Sequence, residues 1–317
     1  MQTSTHLSRQ KILVTGASGF IGSHLCSHLC KESAEVYAVS RSSPSTSTNS
    51  INWCYGDVED FSTVNNIVCQ IKPDVIYHLA SNVTGSRAIE NVLPTLRGNL
   101  VSTVNLLTAA TEIGCKRIVL AGSLEEPEPD QILTVPSSPY AAAKWASSTY
   151  ARMFHELYQT PVVIARIFMV YGPGQNSRFL IPYVISSLLK GISPELSSGK
   201  RPIDWIYIDD LVSGLLQMAT AADIEGSAID LGSGTMVTVR EVVQQIVKVI
   251  NSQINPSFGA IPDRVMEQVR VANSAVSYTK LHWKPQVSLE EGLKLTVDWY
   301  AKHLKAKLEG DEVIPCT

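Results

Sequence analysis

The stretch Thr15-Gly16-Ala17-Ser18-Gly19-Phe20-Ile21-Gly22 decides the fold of this chain. It joins an apolar run with strand character to a helix-like segment. A helix that begins directly after such a turn presents free backbone N–H groups and the positive end of its dipole, which together bind a pyrophosphate. Gly16 permits the tight turn, Gly19 the close approach of a ligand, and Gly22 the packing of helix on strand. The stretch therefore predicts a dinucleotide-binding turn.

Strands and helices alternate outward from this turn through the first half of the chain. Such alternation is typical of a parallel sheet that is covered by helices on both faces. We therefore expect an α/β fold with a Rossmann-like, doubly wound parallel sheet. The predicted strands are Ile12–Thr15, Glu35–Ser40, Ile51–Tyr55, Val75–Leu79, Arg117–Ala121 and Val162–Phe168, and the predicted helices are Phe20–Cys30, Thr63–Ile71, Leu100–Glu112 and Ala141–Tyr158.

The pattern changes after Gly172, where prolines interrupt the alternation. Helices are predicted near Phe179–Leu189 and Asp209–Thr220. Capping boxes mark two further helix starts, at Thr238 and Ser288. We expect a dinucleotide-binding domain over residues 1–172, to which segments around 204–232 return. Residues 173–317 then form most of a smaller C-terminal substrate domain.

Composition limits the possible partners. The chain has 317 residues, of which 44% are hydrophobic and 17% charged, and its formal net charge is -3. This charge gives no reason to expect a nucleic-acid partner or an anionic membrane surface. No apolar run is long enough to span a bilayer and no signal peptide is visible, so a cytoplasmic location is expected. The six cysteines show no paired ligand spacing, and no metal site is expected.

The end of the second strand bears on the choice of dinucleotide. An acidic side chain at this point binds the ribose hydroxyls of NAD, whereas this chain has Ser40 and Arg41. A guanidinium with a neighbouring hydroxyl suits the 2′-phosphate of NADP. We therefore favour NADP(H) and keep NAD(H) as the alternative, in which Arg41 is an ordinary surface arginine.

The stretch Tyr140-Ala141-Ala142-Ala143-Lys144 contains the only Tyr-x-x-x-Lys pattern of the chain. Residues four apart lie on one face of a helix, so the phenol and the ammonium point into the same cleft. A nearby ammonium favours the phenolate and makes the phenol a usable proton donor and acceptor. Ser123 ends the fifth strand, at the sheet edge where ligands bind, and its hydroxyl can bind the same reacting oxygen.

These motifs resemble those of the extended short-chain dehydrogenase/reductases, the NAD-dependent epimerase/dehydratase family. The resemblance covers nearly the whole chain and implies a sugar-nucleotide substrate and a homodimer formed through the helix of Tyr140 and the helix around Asn99. It also implies a cofactor site. The residues of that site are Gly16, Ser18, Gly19, Phe20, Ile21, Gly22, Ser40, Arg41, Asp57, Val58, Leu79, Ala80, Asn99, Tyr140, Lys144 and Ile167.

The resemblance also suggests residues that contact the substrate, and it shows departures from the family pattern. The family's dehydratases carry an acid directly after the catalytic Ser or Thr, where this chain has Leu124. Glu125 remains where their base would lie, so it joins Ser123, Tyr140 and Lys144 as a catalytic candidate. Met169 replaces an Asn of many epimerases, and Ile203 replaces the usual Arg. The candidate substrate-binding residues are Ser81, Met169, Arg201, Arg264 and Arg270.

Four functions follow from these residues. The leading hypothesis is an NADPH-dependent reductase of a 4-keto sugar nucleotide, as in deoxysugar biosynthesis, because Arg41 favours an exchangeable NADPH. The alternative is a nucleotide-sugar 4-epimerase with tightly bound NAD(P), which uses the same residues. A 4,6-dehydratase ranks third because of Leu124. A dinucleotide sensor without catalysis ranks last, since a sensor has no need of Tyr140.

Overall fold

The computed structural model describes residues 7–42, 50–127 and 135–309. Its centre is a seven-stranded sheet in the order β10-β6-β5-β4-β1-β2-β3, in which every neighbouring pair is parallel. The predicted Rossmann-like α/β fold is thereby confirmed. The seven strands are β1 (Lys11–Thr15), β2 (Glu35–Ser40), β3 (Ile51–Tyr55), β4 (Val75–His78), β5 (Arg117–Ser123), β6 (Val162–Ile167) and β10 (Ala228–Leu231).

The strand order places the ligand-binding edge. The chain goes from β1 outward to β3 on one side, then returns to β4 on the other side of β1. The carboxyl ends of β1 and β4 therefore flank the switch point where open α/β sheets bind ligands. β4 and β5 are buried along their whole length, as expected of central strands covered on both faces.

Helices cover both faces of the sheet and build the second half of the chain. They include a π-helical segment, Leu96–Val101, directly before α4. The α-helices are α1 (Phe20–Lys31), α2 (Phe61–Ile71), α3 (Val92–Thr95), α4 (Ser102–Ile113), α5 (Pro139–Tyr158), α6 (Leu180–Leu189), α7 (Ile208–Thr220), α8 (Val239–Ile250), α9 (Ser274–Leu281) and α10 (Leu289–Glu309). In the described parts of the chain, none of the helices has the length and apolar character needed to cross a membrane.

The run Val162–Phe168, predicted as one strand, ends in the structure at Ile167. The N–H of Phe168 donates to Leu231 O on β10 (3.1 Å), and the chain then enters a second sheet. That sheet has the order β11-β9-β7 and is formed by β7 (Met169–Tyr171), β9 (Pro202–Tyr207) and β11 (Met236–Thr238). A third sheet pairs β8 (Glu195–Leu196) with β12 (Ser257–Phe258).

Two buried aspartates tie the second half of the chain to the central sheet. Asp230 on β10 accepts a hydrogen bond from Arg166 on β6 (2.7 Å) and another from the N–H of Asn273 (3.0 Å). Asp204 on β9 accepts from the N–H groups of Ser233 (2.7 Å), Gly234 (3.0 Å) and Ala272 (2.9 Å), and from the Ser233 hydroxyl (2.7 Å). These bonds satisfy backbone donors that would otherwise be buried without partners.

Candidate active site

The glycine turn lies against the end of β4. Gly16 has a φ of +69°, which a side chain tolerates poorly, and a Cβ there would lie 2.7 Å from Ala80 N. A Cβ on Gly22 would lie 2.2 Å from Gly16 O. Gly19 precedes α1, and the first turn of this helix has no side-chain cap. Its N–H groups are thus directed toward the space above the turn.

The turn is fixed to β4 by a buried polar chain. The Thr15 hydroxyl hydrogen-bonds His78 Nδ1 (2.8 Å) and accepts from Ala80 N (3.2 Å), while the N–H of Leu79 donates to Thr15 O (3.2 Å). Burial, with a smaller contribution from the charge of Lys144, lowers the pKa of His78 to about 3, so the ring is neutral at physiological pH. Leu79 and Ala80, both predicted to contact the cofactor, therefore lie beside the glycine turn.

Asn99 lies in the π-helical segment and organises the loop after β4. Its Oδ1 accepts from the Ser81 hydroxyl (2.7 Å) and from Asn82 N (2.8 Å). Its main-chain oxygen accepts from the hydroxyls of Thr103 (2.6 Å) and Ser147 (3.1 Å), the latter on α5. π-helical turns release carbonyls from the helical ladder, and here such a carbonyl joins two helices. Asn99 is buried, so its role in this structure is to fix the loop after β4 and the neighbouring helices by hydrogen bonds.

The adenosine end of the site is open. Ser18, exposed in the turn, lies 3.2 Å from Ser40 between hydroxyl oxygens, and Arg41 follows as an exposed side chain at the end of β2. Asp57 is exposed after β3, and its carboxylate caps the N–H of Glu59 (3.0 Å). Val58 is half-buried next to it. All of these residues lie at the carboxyl edge of β2 and β3, the edge shared with the glycine turn.

The structure brings the three main catalytic candidates together. Ser123 is the last residue of β5, and Tyr140 and Lys144 lie in the first two turns of α5. Ser138 caps α5 by accepting from Ala141 N (3.2 Å), which fixes the start of the helix. Lys144 is buried and donates from Nζ to Ala121 O on β5 (2.9 Å), with Nζ 6.0 Å from the centre of the Tyr140 ring.

Burial and neighbouring charges set the pKa values of the Tyr140 phenol and the Lys144 ammonium. Burial raises the pKa of Tyr140 to about 12; hydrogen bonds with Ser123 and Ser81 lower it, and the charges of Glu126 and Glu125 raise it. Burial lowers the pKa of Lys144 to about 8, against the opposing effect of Glu126. Because Lys144 Nζ lies 6.0 Å from the ring centre, the phenol needs a positive charge closer than this to exchange protons near neutrality.

Glu125 lies in a turn directly after β5. Instead of continuing the extended strand, the chain turns after Ser123, and the N–H of Glu125 donates to the Ser123 hydroxyl (3.2 Å). The carboxylate of Glu125 binds Arg201 (3.1 Å), and its other oxygen accepts from Ser137 (3.3 Å). Arg201 also pairs with Glu267 (2.8 Å). Arg201 thus reaches the catalytic centre, but carboxylates of the protein already bind it.

The remaining substrate candidates lie around the same cleft. Arg264 is largely exposed, faces Glu267 (3.6 Å) and packs over Gly85. Arg270 donates to the main-chain oxygen of Glu126 (3.2 Å). Met169 is half-buried at the start of β7. Phe20, Ile21 and Ile167 are also half-buried, and the oxygen of Ile167 accepts from Leu124 N (3.0 Å).

One acidic residue of the site was not predicted from the sequence. Glu126 is 2% exposed, and its Oε1 accepts from the N–H of Ser123 (2.7 Å). In the sequence it is the second of two adjacent glutamates and gives no sign of burial. Among the described residues, no group of three His, Cys, Asp or Glu side chains is arranged to hold a metal ion.

The residues present fit a nicotinamide dinucleotide. The turn leaves space that a Cβ on Gly16 would fill, and α1 presents uncapped N–H groups to a pyrophosphate. Along the same sheet edge lie Tyr140 and Lys144, the pair that would face the nicotinamide end. The fold and the site thus define an NAD-dependent enzyme of the nucleotide-sugar epimerase/dehydratase type.

The chain belongs to the NAD dependent epimerase/dehydratase family, whose sequence profile matches residues 12–232. It is 28% identical to a dTDP-glucose 4,6-dehydratase of Haemophilus influenzae, over 91% of this chain and 97% of the relative. It is 27% identical to a UDP-glucose 4-epimerase of Mycolicibacterium smegmatis, over 92% and 98%. The resemblance found in the sequence is thereby confirmed.

The fold is also similar to that of a solved nucleotide-sugar epimerase. The UDP-glucuronic acid 4-epimerase of Bacillus cereus, solved with UDP-glucuronic acid and NAD, superimposes with a TM-score of 0.83 at 25% identity. The match covers 93% of this chain and 99% of that one. Structural neighbours of this chain thus bind NAD.

Proposed function

We propose that this protein is a nucleotide-sugar 4-epimerase that retains NAD(H) during its reaction. This was the alternative to a reductase at the level of sequence. It is supported by the epimerases among the relatives and solved structures, and by the arrangement of Ser123, Tyr140 and Lys144 at one sheet edge. Epimerisation at C4 needs one group that removes a proton and later returns it, and Tyr140 can do both.

Bound NAD would supply a reversible acceptor for the hydride of sugar C4. Ser123 would hold the O4 oxygen, and Tyr140 would remove the O4 proton as the hydride leaves. The ammonium of Lys144 would stabilise the phenolate that forms. Once the keto sugar has rotated in the cleft, Tyr140 would return the proton to O4 as the hydride goes back to C4 on the opposite face of the sugar. No atom is gained or lost overall.

The observation that separates this proposal from dehydration is the position after Ser123. Leu124 is 6% exposed and packs in the hydrophobic core. It cannot donate a proton to a departing hydroxyl. The neighbouring Glu125 is bound by Arg201. Loss of water requires a free acid and a free base, and neither Leu124 nor Glu125 supplies one.

A second candidate function is reduction of a 4-keto sugar nucleotide by NADPH. The observation that favours it is Arg41, a cation exposed at the end of β2 next to Ser40. A guanidinium in this place suits a phosphate ester on the adenosine ribose. In that reaction Tyr140 would donate its proton once, to the new hydroxyl oxygen.

One experiment distinguishes the two functions. The purified protein is dialysed and its nicotinamide content measured, then UDP-glucose, UDP-glucuronic acid and dTDP-glucose are supplied and followed by NMR at sugar C4. We expect retained NAD(H) and C4 epimers without net cofactor consumption. Stoichiometric oxidation of NADPH by a 4-keto sugar nucleotide would instead establish the reductase. Tyr140→Phe should keep its cofactor and fold but lose most turnover, since only the proton-transferring oxygen is removed.

We also propose that the protein is a homodimer. Large apolar side chains are exposed on α5 and along the helical stretch that leads into α4, and a second copy of these two helices would bury them. The residues are Leu93, Leu96, Tyr150 and Leu157. Light scattering should give twice the chain mass, and Leu157→Asp combined with Tyr150→Asp should give one chain mass.

A further inference from the structure

Glu126 is a buried carboxyl at the candidate active site that the proposed reaction does not use. Its Oε1 accepts from the N–H of Ser123 at 2.7 Å. A Cβ on Gly122 would lie 2.8 Å from this same oxygen, so the carboxyl fills the space that the glycine leaves open beside β5. The side chain therefore points inward, under the residue that carries the candidate catalytic hydroxyl.

Charged and polar groups surround the Glu126 carboxyl on several elements, but none of them forms an ion pair with it among the described residues. On α5, Lys144 donates from Nζ to Ala121 O (2.9 Å), the residue directly before Gly122, and Tyr140 and the buried Ser148 belong to the same helix. From β6 the carboxyl is faced by Arg166, which already pairs with Asp230 (2.7 Å).

On its own turn, Glu125 is held by Arg201 (3.1 Å), and Arg270 binds the main-chain oxygen of Glu126 (3.2 Å). Among the ion pairs of the described residues, none includes Glu126. No cation that is paired with it therefore neutralises the Glu126 carboxylate, and its negative charge acts on Lys144.

We infer that Glu126 is a positioning residue of this site, which fixes the turn carrying Ser123 and supplies the buried negative charge that keeps Lys144 an ammonium. The inference rests on the proposed function, since it assigns a role within the same catalytic set. A buried charge acts strongly on its neighbours because little solvent screens it.

The proton affinities agree with this geometry. Burial raises the pKa of Glu126, while the Ser123 N–H, Ser148, Arg166 and Lys144 lower it. In return, Glu126 raises the pKa of Lys144, which burial alone would depress further. With the carboxylate in place, Lys144 stays protonated at neutral pH. A protonated Lys144 is what the stabilisation of a Tyr140 phenolate requires.

The test measures the titration of Lys144 directly, in the full-length protein without added cofactor. Lysine labelled with carbon-13 at Cε is followed by NMR from pH 6 to 10, and the signal is assigned with Lys144→Arg. Glu126→Gln keeps an oxygen for the Ser123 N–H and removes only the charge. We expect its Lys144 midpoint to fall by on the order of 1 pH unit. Glu125→Gln is the matched control and should move the midpoint much less, since Arg201 already balances that carboxylate.

Glu126→Asp covers the case in which the Gln variant fails to fold. It retains the charge, so its Lys144 midpoint should stay near the wild-type value even if the protein is less stable. An unchanged midpoint in Glu126→Gln, or an equal fall in Glu125→Gln, would overturn the inference. A shifted midpoint in a protein that converts no sugar nucleotide would leave the role of Glu126 standing and refute the proposed function instead.

Discussion

Gly22→Ala is the sharpest test of how the dinucleotide turn is built. The added Cβ would lie 2.2 Å from Gly16 O and 2.8 Å from Ala17 Cα, and both are backbone atoms that cannot rotate away. A carbon–oxygen contact is ordinarily about 3.3 Å or longer, so the turn and α1 must separate by about 1 Å. Overpacking of this kind typically costs about 2 kcal/mol of folding free energy.

We expect the cofactor to lose affinity as well, because the proposed pyrophosphate site is formed by the turn together with the first N–H groups of α1. A cost of about 2 kcal/mol corresponds to a factor of about 30 in an equilibrium constant. Misplacement of a site by about 1 Å can reduce function by about a hundredfold. We therefore expect NAD binding to weaken by at least about tenfold in the Gly22 variant.

Urea unfolding and calorimetric titration with NAD, on protein stripped of cofactor, measure the two effects. Gly19→Ala is the matched control in the same turn, since its Cβ would lie 3.1 Å from Gly16 O and can be accommodated by a small shift. It should unfold within about 1 kcal/mol of wild type, yet bind NAD more weakly, because Gly19 lies in the proposed pyrophosphate site. Wild-type stability and wild-type NAD affinity in Gly22→Ala would refute this account of the turn.

Three further predictions follow from buried or charged side chains. Asp204→Ala leaves three backbone N–H groups without their acceptor and should lower the free energy of unfolding by at least about 3 kcal/mol, measured in urea. Arg41→Asp should weaken NADP binding at least about tenfold while NAD binding holds, and unchanged affinities at low salt would mark Arg41 as an ordinary surface residue. Wild-type stability should fall as pH drops from about 6.5 toward 3, because burial lowers the pKa of His78 to about 3 and the unfolded state takes up the proton first. His78→Gln should flatten that slope, and an equally steep slope in the variant would assign the effect elsewhere.

The sheet was predictable because parallel strands buried on both faces are continuous apolar runs. Val75–Leu79 and Arg117–Ala121 match β4 and β5 within two residues. The division at Phe168 was not predictable, since Val162–Phe168 is one run of residues with strand character in which only Arg166 is charged. From Met169 onward the chain pairs with β9, and no local pattern reveals this partner far along the chain.

The site was predictable where spacing fixes geometry and not where packing does. Tyr140 and Lys144 are four positions apart, and a helix necessarily places them on one face. The burial of Glu126 depends on Gly122 and on the N–H of Ser123, so the pair Glu125-Glu126 looks like surface charge in the sequence. The partners of Arg201 likewise come from two distant segments.

The position of β10 has a consequence for how the protein is made. β6 has β10 as its outer neighbour, yet the ribosome must add residues 168–227 before β10 exists. Throughout that interval the nascent sheet carries an open edge, to which another chain can pair. The buried Arg166 also waits for its counter-charge on Asp230. We therefore expect a chain that ends after residue 172 to retain the whole glycine turn but to leave β6 as an open sheet edge, which is covered only once residues 228–231 have been made.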